Sequence, residues 1–223
     1  MEEHIVKILS IDEVTHDVKC FKVEKPQGYS FIPGQATEVS VNLPGLRNEK
    51  RPFTFTSLNS ADYLEFTIKI YTERKGITNE LGKLRPGSEL IIRDVWGDIG
   101  YKGEGVFIAG GAGITPFISI FRELQYTKKI GANVLLFANK TRDDIILESE
   151  LKWLLGDLFI NILSEEETEN YSYGYINEAF LKTNIPALYN HYYLCGPPPM
   201  MTSLLRQLSN LGISQNKIIM EKI

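Results

Sequence analysis

The sequence predicts a two-part fold, in which a six-stranded antiparallel β-barrel is followed by an α/β domain built on a parallel sheet. A length of 223 residues suits two domains of about a hundred residues each. Short runs rich in β-branched and aromatic residues fill the first half, whereas strand-like and helix-like runs alternate in the second. Because glycines punctuate residues 96–103, we expect one domain at 1–100 and another at 103–223.

Six runs in the first half have the composition of β-strands, and turns rich in proline and glycine separate them. They are residues 5–11, 18–23, 36–43, 53–56, 64–71 and 89–93. The run from Leu64 to Ile70 alternates apolar and polar residues, which predicts a half-buried strand. One short helix fits around 78–83. Six strands that close on themselves form a small antiparallel barrel.

The second half repeats strand and helix in turn. An all-apolar run at 106–109 predicts a strand buried on both faces, and the apolar spacing from Ile114 to Leu124 predicts a helix. Further strands are predicted at 134–138, 159–163, 192–194 and 218–220, and further helices at 145–155 and 200–211. This alternation favours a doubly wound parallel sheet.

Charge and composition argue against several classes of function. The formal charge of −4 is shared almost evenly between the two halves, so we expect no nucleic-acid partner. We expect neither a signal peptide nor a membrane span, and a cytoplasmic location. Two cysteines are too few for an iron–sulfur cluster in this chain, and the three histidines have no spacing suited to a metal site.

A glycine cluster follows the first strand of the predicted α/β domain. Gly110, Gly111 and Gly113 would let the chain turn tightly and let a phosphate approach backbone N–H groups. Thr115 is a good helix N-cap, and Pro116 suits the first helical position. Because Pro116 stands where a third glycine would complete G-x-G-x-x-G, an ordinary Rossmann dehydrogenase is disfavoured. A tight turn without a ligand remains an alternative.

Two further segments suggest ligand binding. The segment Cys-Gly-Pro-Pro-Pro-Met at 195–200 follows a short apolar strand, so it lies either at the ligand-binding edge of the sheet or in a stiff connector. In the barrel, Arg51 is suited to a phosphate, although a salt bridge on the barrel rim is the alternative. Residues 74–81 are a second possible phosphate site, with two basic residues before Gly76 and a Thr that can cap a helix.

In this order and spacing, these segments resemble the ferredoxin–NADP reductase superfamily over essentially the whole chain. The closest likeness is to compact two-domain flavin reductases and cytochrome b5 reductases. Residues 51–54 match the family element Arg-x-Tyr/Phe-Ser/Thr, residues 111–116 match G-x-G-x-x-P, and residues 195–200 match C-G-P-x-x-M. Phe53 replaces the commoner tyrosine, which keeps the ring and removes a hydroxyl.

The resemblance implies an FAD-binding barrel followed by a nicotinamide-nucleotide-binding domain. It implies that Arg51 binds the FAD pyrophosphate, that Phe53 packs against the isoalloxazine ring and that Thr54 forms a hydrogen bond near flavin N5. It makes Thr54, Cys195 and Glu221 the catalytic candidates, as positioning and proton-relay groups. The cofactor-binding residues that it implies are Arg51, Pro52, Phe53, Thr54, Ile68, Lys69, Ile70, Gly76, Ile77, Thr78, Gly111, Gly113, Thr115, Pro116, Asn139, Lys140, Cys195, Gly196, Pro197 and Met200.

The implied reaction is hydride transfer from NADH or NADPH to flavin, followed by electron delivery to a separate ferredoxin, flavodoxin, cytochrome or small molecule. The acidic segment at 163–167 would repel a 2′-phosphate, which favours NADH, although Lys140 and Arg142 could still pair with one. An NADPH-dependent ferredoxin or flavodoxin reductase is the first alternative. The second is an FAD-binding electron-transfer subunit that does not turn over nicotinamide alone.

Overall fold

The computed structural model describes residues 2–73, 76–185 and 189–221, which form two compact units. The first unit contains the residues up to Gly100 together with Thr115–Glu123. The second contains Tyr101–Ile114 and the residues from Leu124 onward. Nine residues that we expected in the second domain therefore pack with the first unit.

The first unit is built on a six-stranded antiparallel sheet, as predicted. Its elements are β1 (His4–Thr15), β2 (Val18–Glu24), β3 (Ala36–Val41), β4 (Arg51–Thr54), β5 (Tyr63–Lys69), α1 (Ile77–Gly82) and β6 (Glu89–Trp96). The strand order is β4-β3-β6-β1-β2-β5. A bridge between Phe55 and Phe66, with a 2.8 Å hydrogen bond from Thr56 N to Glu65 O, joins the two ends of this order and closes the barrel.

Strand β5 departs from its predicted half-exposed character. Every residue from Leu64 to Ile68 is buried, including Glu65 and Thr67 on the polar face. Helix α2 (Thr115–Tyr126) covers that face, because its Arg122 lies 2.6 Å from the Glu65 carboxylate. Sequence alternation marked the two faces correctly, but it could not show that a helix encoded fifty residues later would cover the polar one.

The second unit is built on a six-stranded sheet whose pairings are all parallel, as the alternating pattern predicts. Its strands are β7 (Gly105–Gly110), β8 (Val134–Asn139), β9 (Phe159–Leu163), β10 (Ser172–Tyr173), β11 (His191–Cys195) and β12 (Ile218–Ile219), in the order β10-β9-β8-β7-β11-β12. Its other helices are α3 (Glu148–Leu155), α4 (Glu178–Asn184) and α5 (Pro198–Asn210). The short elements β10 and α4 are absent from the sequence prediction.

Helix α3 begins three residues later than its apolar pattern suggests. Thr141 and Asp144 form a capping box around a single 3₁₀ turn, and Leu147 then adopts a left-handed φ of 53°. The capping box and the left-handed residue interrupt the helical path, so the apolar side chains of Ile145 and Ile146 enter the core from irregular backbone.

Candidate functional site

The glycine cluster and the Cys-Gly-Pro segment lie side by side at the centre of the parallel sheet. Strand β7 pairs with β8 on one side and with β11 on the other, and Ala109 is directly opposite Cys195. The chain runs from β7 outward through β8 and β9, and it later returns to β11 and β12 on the opposite side. The carboxyl ends of β7 and β11 therefore flank the point where strand order reverses, which is the usual ligand crevice of open α/β sheets.

These two segments interlock through their glycines. A Cβ at Gly113 would overlap the carbonyl oxygen of Cys195, and a Cβ at Gly110 would overlap the Met200 sulfur. Gly196 also lies against Gly110 and Met200. By contrast, Gly111 has a φ of 51°, and no described atom lies near the position of its missing side chain. Gly110 and Gly113 thus serve loop-to-loop packing, whereas Gly111 supplies the open turn that an anion could approach.

The helix after the glycine cluster starts earlier than predicted. A 3₁₀ turn spans Gly111–Ile114 and runs directly into α2 at Thr115. Thr115 and Pro116 therefore lie within a continuous helical stretch, and the predicted roles of N-cap and first helical residue are wrong. The flexible glycines allow this extra turn, which a propensity argument centred on Thr115 could not include.

Cys195 and Glu221 are close enough to interact within the second unit. Burial, with a smaller contribution from the Glu221 charge, raises the pKa of the Cys195 thiol to about 12. The sulfur therefore keeps its proton at neutral pH and can act as a neutral hydrogen-bond donor. It is not an activated thiolate.

Asn139, at the carboxyl end of β8, carries a buried amide with unmet hydrogen-bonding capacity. Among the described residues, neither its Nδ2 nor its Oδ1 has a partner. Its backbone oxygen accepts a 3.0 Å hydrogen bond from Ser164 N, which holds the ends of β8 and β9 together. Buried amides in folded proteins normally find partners, so an unpaired one at a ligand edge fits a bound hydroxyl or amide group.

The acidic loop after β9 engages the residues after β8. Lys140 Nζ lies 2.9 Å from Glu165 Oε1, and this contact raises the pKa of Lys140. The backbone N–H of Arg142 donates to Glu166 Oε2 at 2.7 Å. The positive charge of Lys140 is therefore already opposed by a carboxylate.

Two exposed tyrosines near this edge escaped the sequence prediction. Tyr173 in β10 is 58% exposed, and Tyr175 is 76% exposed and contributes to the raised pKa of Lys140. An exposed aromatic ring beside the ligand crevice of a parallel sheet can stack on a planar group of a ligand. The run Tyr-Ser-Tyr-Gly-Tyr at 171–175 was the available signal, but without the fold it reads as an ordinary turn.

In the barrel, Arg51 to Thr54 form the whole of β4, at one end of the strand order. Arg51 is exposed and donates from NH1 to the oxygen of Lys50 at 2.7 Å, which uses one of the five N–H donors of its guanidinium. Phe53 packs partly against the barrel core, and Thr54 is half-buried opposite Ala36. The strand thus presents a cation, a ring and a hydroxyl within four residues.

The other predicted FAD contacts differ in accessibility. Ile68 and Ile70 belong to the barrel core, so the backbone is the part of this strand that can reach a ligand. Lys69 pairs with Asp17 at 2.7 Å. Gly76 precedes α1 in an extended conformation, and among the described residues no side chain caps that helix. The two basic residues proposed beside it, Arg74 and Lys75, lie outside the described residues.

No helix in the described ranges has the length and apolar character needed to cross a membrane.

Two family models match this chain, one in each half of the sequence. The sequence model of the family described as "Oxidoreductase FAD-binding domain" matches residues 6–101. The model described as "Oxidoreductase NAD-binding domain" matches residues 107–205. Their order along the chain agrees with the barrel-then-sheet architecture.

Similar proteins extend this match to the whole chain. NADH-cytochrome b5 reductase 1 of Eremothecium gossypii is 30% identical, over 96% of this chain and 81% of the relative. The cytochrome b5 reductase domain of Ulva prolifera nitrate reductase shares the fold with a TM-score of 0.83, at 21% identity over 98% of this chain and 97% of that one. The CS-b5R domains of human Ncb5or, in the NAD⁺ form, share the fold with a TM-score of 0.84. The identity is 25%, and the match covers 99% of this chain and 70% of that one. The chain therefore belongs to the ferredoxin–NADP reductase and cytochrome b5 reductase family, and it is a flavin-dependent NAD(P)H oxidoreductase.

Proposed function

We propose that this enzyme oxidises NADH in preference to NADPH and passes the electrons through FAD to a separate one-electron acceptor, with a b5-type cytochrome as the first candidate. The observation that carries the nucleotide preference is the acidic loop after β9, whose Glu165 already engages Lys140 at 2.9 Å. The similarity to NADH-cytochrome b5 reductases of Eremothecium gossypii and Rattus norvegicus supports both parts of the proposal.

The electrostatic argument concerns the ribose of the adenosine half. A carboxylate at the carboxyl edge of the sheet can accept hydrogen bonds from ribose hydroxyls, but it repels a 2′-phosphate. Glu165, Glu166 and Glu167 follow β9 directly, and the unpaired amide of Asn139 lies at the end of the neighbouring strand. An NADPH-dependent ferredoxin or flavodoxin reductase is the second candidate, favoured only by the basic side chains of Lys140 and Arg142.

The residues of β4 fit the FAD half of the reaction. Bound FAD supplies a hydride acceptor at N5 and a route for delivering electrons to the acceptor. We assign the pyrophosphate to Arg51, because an exposed guanidinium can bind phosphate through paired hydrogen bonds. Phe53 would pack against the isoalloxazine ring, and the Thr54 hydroxyl would hydrogen-bond near N5. Gly76, Ile77 and Thr78 extend the family pattern to a second pyrophosphate contact.

The second unit supplies the nucleotide half. Gly111, with its open positive-φ turn, admits the pyrophosphate to the backbone at the switch point of the sheet. The neutral thiol of Cys195 would hold the nicotinamide in place as a hydrogen-bond donor, and Glu221 would accept or relay a proton nearby. Thr54, Cys195 and Glu221 remain our proposed catalytic residues.

The nucleotide preference is tested by comparing kcat/KM for NADH and NADPH with ferricyanide as acceptor. We expect NADH to be favoured by about tenfold or more, which corresponds to roughly 1.4 kcal/mol of transition-state binding. Glu165→Gln should lower the ratio of kcat/KM for NADH to kcat/KM for NADPH. It removes a charge that repels the 2′-phosphate, and it frees Lys140 from its ion pair so that the lysine can bind that phosphate. Glu169→Gln is the matched control, since it makes the same charge change at an exposed position further along the loop. A kcat/KM that is equal or higher for NADPH would overturn the preference.

The acceptor is tested separately with an NADH-reduced enzyme under anaerobic conditions. Visible absorbance should show bleaching of the bound flavin on addition of NADH and then reduction of an added b5-type cytochrome. Ferredoxin and flavodoxin, added in parallel, should be reduced more slowly. Rapid reduction of either of these with an inert cytochrome would contradict the assignment. Absence of any bound or acquired FAD would contradict the whole proposal.

A further inference from the structure

We propose that the ion pair of Glu65 and Arg122 is a positioning device for the backbone that carries Thr54. The inference rests on the proposed function in one respect, because it takes Thr54 to be the neighbour of the reactive flavin nitrogen. Neither Glu65 nor Arg122 belongs to a motif that identified the family, and neither is among the residues assigned to a ligand above.

The pair contacts the chain just beyond β4, at Thr56. Arg122 NH1 donates to Glu65 Oε1 at 2.6 Å and to the backbone oxygen of Thr56 at 2.8 Å. The Thr56 hydroxyl donates to the same carboxylate oxygen at 2.8 Å, and it lies 3.1 Å from the hydroxyl of Thr67. Glu65 N donates to Ser57 Oγ at 3.2 Å. Thr56 is thus held by its N–H, its carbonyl and its hydroxyl.

Burial strengthens the hydrogen bonds of this cluster. Thr56 is fully buried and Glu65 is 5% exposed, so water does not compete for their hydrogen bonds. The Cys20 thiol on β2 faces the same carboxylate, and burial, with a smaller contribution from Glu65, keeps it protonated by raising its pKa to about 12. The carboxylate therefore accepts hydrogen bonds from both a guanidinium and a hydroxyl group.

Stability alone is a weak explanation for such a pair. Withdrawing the Glu65 carboxylate from water costs free energy that offsets much of its attraction to Arg122, whose side chain is 22% exposed. Well-packed apolar side chains of similar volume frequently stabilise as well or better. What apolar residues cannot do is fix a backbone carbonyl by a directional hydrogen bond. Because Thr56 is two residues from Thr54 in extended chain, fixing its carbonyl and N–H limits the travel of Thr54 relative to the barrel.

The expected consequence is a loss of flavin reactivity without a loss of flavin. Misplacing a reacting group by about 1 Å can cost up to roughly a hundredfold in rate. We expect Glu65→Gln to retain FAD but to slow NADH-driven flavin reduction about tenfold in stopped flow. The visible circular dichroism of the bound flavin should change as well, because that signal reports the asymmetric contacts of the ring.

A double variant separates positioning from folding. Glu65→Leu combined with Arg122→Met replaces the ion pair by apolar side chains and should restore the melting temperature to within about 3 °C of wild type. Flavin reduction should remain about tenfold slow in this variant, because no donor holds the Thr56 carbonyl. If rate and melting temperature recover together, the pair is only structural and the inference is wrong.

Glu3→Gln is the matched control. It removes the carboxylate partner of Arg93, a fully buried arginine of the same unit, whose NH2 lies 2.8 Å from Glu3. We expect a change in melting temperature with an unchanged rate of flavin reduction. If flavin reduction slows equally in this control, then weakening any ion pair in the barrel slows the reaction. That result would overturn the specific positioning role of Glu65 and Arg122. Failure of the wild-type protein to bind FAD would instead contradict the proposed function.

Discussion

At the scale of single residues, the two cysteines show how burial decides chemistry. The sequence marks Cys195 by its motif and Cys20 by nothing, yet burial raises the pKa of both thiols to about 12. In each case a carboxylate adds to the effect, Glu221 for Cys195 and Glu65 for Cys20. Both sulfurs are therefore neutral under physiological conditions.

Alkylation kinetics test this conclusion. A pKa raised from 9.0 to about 12 lowers the thiolate fraction at pH 8 about a thousandfold, so iodoacetamide should label both cysteines far more slowly in folded than in urea-unfolded protein. Labelling should accelerate about tenfold per pH unit up to about pH 12. Mass spectrometry after timed quenching gives the rates, and fast labelling of folded Cys195 at pH 8 would refute a neutral thiol.

The hydroxyl of Thr54 offers a second test at this scale. Thr54→Val keeps the branched shape and removes the hydrogen bond proposed near flavin N5. We expect flavin reduction by NADH to fall roughly ten- to hundredfold, while FAD stays bound. Stopped-flow absorbance measures the rate, and the flavin-to-protein absorbance ratio measures occupancy. An unchanged rate would remove Thr54 from this role.

At the scale of elements, period and composition predicted the long strands and helices, and they failed where tertiary contacts override local preference. The strand at 159–163 was predicted with its observed bounds, because its apolar residues carry the signal. The two-residue strand β10 and the seven-residue α4 carry too little periodicity to be found. The glycine cluster was located correctly, but its helical turn and its packing partner were not predicted.

The interlocked loops give a prediction about Gly113. In Gly113→Ala the new methyl group must displace the Cys195 backbone, and overpacking of this kind typically costs about 1–3 kcal/mol of unfolding free energy. The shifted loop should also raise KM for NADH. Gly100→Ala is the control, because among the described residues no atom lies near its missing side chain and its φ is ordinary. Equal melting temperatures for the two variants would contradict the packing role of Gly113.

At the scale of the whole molecule, the first unit includes a segment from the other half of the sequence. Residues Thr115–Glu123 pack with the first unit, where Ser119 accepts a 3.0 Å hydrogen bond from Gly34 N and Arg122 reaches Glu65. Composition placed the boundary near residue 100, and no local pattern in α2 indicates which sheet its polar face will meet. The domain limits at 1–100 and 103–223 stay a prediction.

Bound FAD should raise the free energy of unfolding, by an amount that grows with the ratio of free FAD concentration to Kd. At a free concentration a hundred times Kd, a ligand specific for the folded state adds about 2.7 kcal/mol, which is roughly 5–10 °C in melting temperature for a chain of this size. Differential scanning fluorimetry of flavin-free protein measures the shift. Riboflavin lacks the pyrophosphate proposed for Arg51 and should give a smaller shift, and Arg51→Gln should narrow that difference. No shift with FAD would contradict the cofactor assignment.

Short-range patterns were enough to identify the barrel, the parallel sheet and the motif residues, because strand period, turn chemistry and glycine placement are properties of a few neighbouring residues. Long-range contacts decided the rest. The contact of Glu65 with α2, the close packing of Gly113 against Cys195 and the pairing of Lys140 with Glu165 each join residues that are distant along the chain. Such contacts depend on how elements pack in three dimensions, and neither composition nor periodicity encodes that packing locally.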